Sequence, residues 1–110
     1  MILVFPFIFN KNYVGISLWP FILLKEIQLK EDARLINHER IHLRQQIEML
    51  IFPFYLWYVL EWGIRFIRCG DAKKAYRNLS FEREAYQQED NLNYLKNRAP
   101  FRFIRYLSPF

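Results

Sequence analysis

Both histidines of this 110-residue chain fall in one stretch, "NHERIHLRQQIEML", at residues 37–50. His38 and His42 are four residues apart, and Glu39 directly follows the first. In a helix that spacing sets the two imidazoles about 40° apart on one face. Two ring nitrogens on one face can meet a single tetrahedral ion, and a carboxylate beside them can act as a general base. His-Glu-x-x-His therefore raises zinc-dependent hydrolysis as the chemistry to test. The chain has no third histidine, and Cys69 is its one cysteine, so a third protein ligand has to be a carboxylate.

The surrounding residues sharpen this expectation. On a helical wheel Leu35, Ile36, Leu43, Ile47, Met49 and Leu50 share one arc of roughly 160°. His38, Glu39, His42 and Gln46 lie inside that arc. Arg34, Arg40, Arg44 and Glu48 fall opposite, with Ile41 the apolar exception among them. A surface helix would set Glu39 among the arginines. An unpaired carboxylate turned inward costs several kcal/mol, and a bound Zn²⁺ would offset that cost. The motif is short and occurs by coincidence, but coincidence must also explain why both histidines sit in it and why Glu39 faces inward.

A carboxylate for the third position is available in "LSFEREAYQQED" at 79–90, which reads as the opening of a later helix. Phe81, Ala85 and Leu92 define its buried stripe, and Glu82 and Glu84 flank that stripe almost symmetrically. Periodicity leaves both open.

"HERIH" followed by a helix carrying "FEREAY" resembles the gluzincins, zinc metallopeptidases with two histidines and a glutamate on the metal. It is most similar to the smallest of them, the minigluzincins, and to the related bacterial pattern H-E-x-x-H-x-x-Q-Q … E-x-E-A-D. The resemblance covers roughly residues 30–90 and implies a single small domain over 1–110. It implies Zn²⁺ as cofactor, His38, His42 and Glu82 as ligands with Glu84 as the alternative, and Glu39 as base. It also implies a peptide or protein substrate, paired along a strand edge in front of the helix. The pattern departs at Tyr86, where an aspartate usually braces a ligating histidine; Glu84, Glu89 or Asp90 would have to take that role. Tyr76 and Tyr86 are the candidates to stabilise an oxyanion, and Gln46 is a candidate to support the site.

The elements that must position these residues give an α+β chain, with a β-hairpin or small sheet packed on a mostly helical domain. "ILVFPFIF" and "YVGISLWPFILL" read as strands around the polar "NKN" turn, with Pro6 and Pro20 pushing strands to edges or bending them. A first helix follows Asp32 as N-cap and stops near Pro53. A second, strongly apolar helix spans about Phe54 to Arg68 and ends before Gly70. A short helix fits "AKKAY", and a third long one runs from an N-cap at Ser80 to about Lys96. "FRFIRYL" is read as a last turn or two on the core.

Composition bounds the function. Apolar residues at 53% and aromatics at 19% exclude a disordered chain. The net charge of +5 is scattered, so no nucleic-acid partner is expected. No secretory signal is read at the start, and a cytoplasmic location is expected. Residues 13–24 and 49–60 are charge-free but fall short of the roughly 20 residues of a spanning helix. Their aromatic residues suit a headgroup boundary, so peripheral membrane contact is also expected. Three classes follow: a zinc peptidase, a zinc-binding but inactive or regulatory domain, and a membrane-associated interaction protein.

Overall fold

The computed structural model describes residues 2–4 and 14–107. The architecture is α+β, a small N-terminal sheet followed by helices. Strand β3 (Phe21–Leu24) is central, parallel to β1 (Ile2–Val4) and antiparallel to β2 (Gly15–Leu18). The hairpin joins β2 to β3 through Trp19 and Pro20, whereas "NKN" at 10–12, where a turn was expected, lies outside the described residues, as does Pro6. Pro20 occupies the turn itself, where its missing N–H removes no ladder bond.

Helix α1 (Ala33–Glu48) starts at Asp32, whose carboxylate accepts the Leu35 N–H as a side-chain cap. It runs between two layers. Ile36 packs on Ile22 and Leu24 of the sheet, with Leu29, Leu35 and Leu43 closing the rim. Its other flank meets α4 (Ser80–Gln88). This second cover explains a departure from the helical wheel: Ile41, expected on the arginine side, is fully buried, while Ile47 and Leu50 are exposed.

The corner after α1 bends the chain by 111° into α2 (Phe52–Cys69). Leu50 and Ile51 adopt φ of 59° and 69°, and the Leu50 carbonyl accepts from the Phe52 N–H at 2.8 Å, a γ-turn centred on Ile51. Pro53 stands in the first turn of α2, where no helical N–H is needed. Gly70 ends the helix at φ 72°, a left-handed cap that favours glycine.

Helix α2 is inverted relative to an ordinary surface helix. Its buried side carries Phe54 but also Glu61 and Arg65, while most of its other apolar side chains face out. Glu61 accepts from the Arg65 Nε at 2.8 Å, the Trp57 Nε1 at 3.1 Å, and the Ser80 N–H and hydroxyl at 2.6 Å each. Glu61 thus caps the start of α4 from outside. Ser80, expected as N-cap, is the first helical residue, and Leu79 precedes it without a side-chain cap.

Helix α3 (Ala72–Arg77) is the short helix expected at "AKKAY", capped by Asp71. Helix α4 ends at Gln88, well before Lys96, and a separate turn α5 (Tyr94–Asn97) follows. The Asn37 side-chain amide donates to the carbonyls of Gln88, Glu89 and Asn91, satisfying a helix end that the chain then leaves. Leu92, read into the buried stripe, is therefore off the helix and exposed. A second core joins Phe54, Phe81 and Phe103, the last from a 3₁₀ turn at Arg102–Tyr106, with Phe81 4.5 Å from each partner ring. Among the described residues no single helix is long and apolar enough to cross a membrane.

Candidate metal centre

The site lies where α1 and α4 face each other, between the two apolar clusters. His38 and His42 project from one face of α1, and Glu82 comes from the first turn of α4, whose position Glu61 secures. His38 Nε2 and His42 Nε2 are 3.2 Å apart, and Glu82 Oε1 lies 3.4 and 3.1 Å from them. Three acceptor-capable atoms thus converge on one point, and this buried group could hold a metal ion. A tetrahedral ion with bonds of about 2.0–2.1 Å keeps its ligand atoms about 3.3 Å apart, so the donor set fits zinc in both type and spacing.

The outer ring nitrogens set which inner ones are free. His42 Nδ1 faces Gln45 Oε1 at 2.8 Å, and His38 Nδ1 faces Glu89 Oε2 at 3.2 Å. Both partners are acceptors, so the network assigns each ring's proton to Nδ1 and leaves the Nε2 lone pairs turned toward Glu82. Without a metal, such a cluster of acceptors needs a proton. Burial pulls the His42 imidazole down, but the adjoining Glu82 carboxylate outweighs it and raises the pKa to about 9. The reciprocal effect holds Glu82 well below the usual carboxylate range, the histidine charges and hydrogen bonds overcoming its burial.

Glu82 and Glu84, which sequence periodicity could not separate, have different surroundings. Glu82 Oε2 accepts from the Tyr58 hydroxyl at 3.1 Å, while Oε1 faces the histidines. Glu84 points the other way into a fully buried pair with Arg98, and also accepts from Tyr94 at 2.6 Å and Gln45 at 2.9 Å. Burial raises the Glu84 pKa and these bonds lower it, with a net shift downward. Glu84 still bears on the site at one remove, through Gln45 to His42.

Glu39 is buried beside the cluster and faces β2. The Ser17 hydroxyl lies 2.7 Å from Glu39 Oε1 and 2.8 Å from its carbonyl, two acceptors sharing one proton. A Cβ added at Gly15 would sit 3.5 Å from Glu39 Oε2, so the strand passes close to the carboxylate. Gln46 turns away from the three converging atoms. Its amide donates to the Ser17 carbonyl at 2.9 Å and accepts the Trp19 N–H at 2.8 Å, as a paired strand residue would. It supports the site by holding the strand that carries Ser17.

Tyr86 sets its ring edge-on to His38 at 4.5 Å, with the Arg77 guanidinium 4.1 Å from its centroid. Glu89 takes the bracing role that Tyr86 cannot fill, and Arg34 ties Glu89 in place at 3.0 Å. Tyr76 and Tyr86 hydrogen-bond to each other. Burial, then the Glu82 charge, pushes the Tyr58, Tyr76 and Tyr86 phenols above their ordinary range, so all three remain proton donors.

Comparisons with protein-family models, with curated proteins and with solved structures returned no match to this chain. The residues themselves therefore carry the functional reading.

Four contributors escaped the sequence reading of the site: Ser17, Gln45 and Tyr58 entirely, and Glu89 as a choice among three acids. Ser17 had a signal, being a polar residue on the same strand face as Gly15. Gln45 sits three residues after His42, within reach on a helix. Tyr58 had none, since an aromatic in an aromatic-rich helix reads as core.

Proposed function

We propose that this chain is a small zinc-dependent metallopeptidase of the gluzincin type, with His38, His42 and Glu82 as ligands and Glu39 as general base. The observation that carries the reading is the convergence of two Nε2 atoms and one carboxylate oxygen within 3.1–3.4 Å, with a second buried carboxylate on the neighbouring residue. Zinc bound there would polarise a scissile carbonyl and acidify a water.

The chain's own groups supply the rest. Glu39, oriented by Ser17, takes a proton and passes it to the leaving amine. Gln45 and Glu89 keep the imidazole protons on Nδ1, so Nε2 is free for the metal. Tyr76 and Tyr86, which hydrogen-bond to each other, are the candidate donors to a developing oxyanion. An extended peptide would pair along the outer edge of β2. Val14 accepts from Lys25 N–H and so faces β3, which by alternation turns Gly15 outward beside Glu39. Gln46 already occupies the Ser17 and Trp19 groups, so pairing would begin on the Gly15 side.

A second reading, a zinc-binding domain without turnover, is favoured by burial: His38, Glu39, His42 and Glu82 are each only 4–6% exposed. Metal analysis and peptide cleavage by the Glu39→Gln variant separate the two. Zinc retained with cleavage abolished supports the peptidase. Zinc retained with no cleavage by the unmodified chain across a peptide library leaves the second reading, and a zinc stoichiometry near zero defeats both.

A further inference from the structure

The outward face of α2 is apolar along the whole helix. Phe52, Leu56, Val59, Leu60, Ile64 and Ile67 are 48–83% exposed, and they share one side of the helical wheel with Gly63. The only acid in α2, Glu61, is turned inside and paired with Arg65. Burying a charge pair while exposing this many branched and aromatic side chains reverses what water favours. The buried Glu61 secures the start of α4, but most of the exposed apolar side chains lie on the other side of α2 from it.

The margins of the face say what covers it. On one flank Trp62 donates its indole N–H to the Ala72 carbonyl, setting the first turn of α3 alongside with exposed Lys73 and Lys74. On the other, Trp57 packs edge-on against Phe103 at 5.3 Å, and Arg65 donates to the Leu107 carbonyl. These contacts bring the 3₁₀ turn, with exposed Arg105, to that flank. Arg68 is exposed in the last turn of α2. An apolar strip from Phe52 to Ile67 is thus framed by indole rings and by exposed cations, with Asp71 the acid beside Lys73 and Lys74.

We propose that this face docks on an anionic lipid bilayer, with α2 lying in the plane of the interface. Branched and aromatic side chains would enter the acyl boundary, the two tryptophans would sit at headgroup level, and the cations would meet lipid phosphates. A second copy of the chain suits the margins poorly, because an isologous contact repeats one surface on both sides and opposes like charges. The proposal is independent of the peptidase reading and stands whether or not the chain turns over substrate.

Co-sedimentation of the full chain with phosphatidylcholine vesicles, with and without phosphatidylserine, tests it. Binding is expected to phosphatidylserine vesicles, with a blue shift of tryptophan emission and weakening at high salt. The double variant Lys73→Glu/Lys74→Glu should weaken partitioning by about tenfold or more. Leu56→Glu/Ile67→Glu should abolish it while leaving far-UV circular dichroism and zinc content unchanged, since both sites are exposed. Failure to bind phosphatidylserine vesicles overturns the proposal. So does a concentration-dependent dimer that Leu56→Glu/Ile67→Glu dissociates while vesicle binding is absent.

Discussion

Replacing each of the two neighbouring glutamates of α4 by glutamine should give opposite phenotypes. The Glu84 and Arg98 side chains are both fully buried, and among the described residues only Glu48 also pairs with the guanidinium. Glu84→Gln keeps the shape but leaves Arg98 short of charge and turns an amide NH₂ toward the Arg98 and Tyr94 donors. Breaking a buried pair from one side costs about 3–5 kcal/mol. For a chain of this size each kcal/mol lowers Tm by about 4–8 °C, so the metal-free variant should melt at least about 12 °C below the parent. Glu82→Gln removes no arginine partner, and above about pH 9, where the His42–Glu82 pair no longer stabilises the metal-free fold, its main effect should be on zinc. At free zinc 100 times Kd, the parent gains about 2.7 kcal/mol on binding. Glu82→Gln should lose nearly all of that gain. Glu84→Gln should keep about 0.4–1.4 kcal/mol of it, since an outer partner acting through Gln45 typically contributes about 10–100-fold in affinity. Differential scanning calorimetry with chelator and with buffered zinc reads both quantities. Were Glu84→Gln to abolish the zinc-induced shift at unchanged metal-free Tm, with Glu82→Gln retaining it, the roles assigned to the two carboxylates would be refuted.

Three further outcomes are expected. In the metal-free protein the His42–Glu82 pair should stabilise the fold by about 3 kcal/mol, from a histidine pKa raised from 6.5 to about 9. Because the folded value is the higher one, that stability is fully present below about pH 6.5 and lost as pH rises to about 9, and Glu82 protonation removes it again below its ordinary range near 4.5; chelated-protein melts across pH check this, and zinc binding at pH 7 should release close to one proton in calorimetry with paired buffers. Glu89→Gln should weaken zinc binding by about 10–100-fold with little change in metal-free Tm, measured by competition with a chromophoric chelator. Leu50→Gly, at an exposed site with φ 59°, should hold or raise Tm by up to about 1 kcal/mol equivalent, as relief of the left-handed conformation offsets added unfolded-state freedom; a clear loss in thermal melts would show that Leu50 packs in a way its exposure denies.

Local pattern was enough to read the α+β class, the cap at Asp32, the end of the second helix before Gly70, and the inward turn of His38, Glu39 and His42. Each depends on neighbours within a turn or two, where side-chain periodicity and cap chemistry act directly. Three features depended on segments far apart in the chain. The hairpin sits at Trp19 and Pro20 because the two strands that pair are both drawn from the second apolar run. Ile41 is buried because α4 covers α1 from a side that no wheel of α1 can foresee.

The same reason governs the two glutamates. Glu82 and Glu84 were equivalent by period, and only the arrival of Arg98, Tyr94 and Gln45 on one side and of two imidazoles on the other distinguishes them. The inverted face of α2 could not be read either, since an apolar helix looks alike whether its apolar side faces a core or the outside. Composition and spacing determined which chemistry was available to this chain. Tertiary packing decided which carboxylate meets the histidines, because convergence of three ligand atoms is a property of two helices in contact and of neither alone.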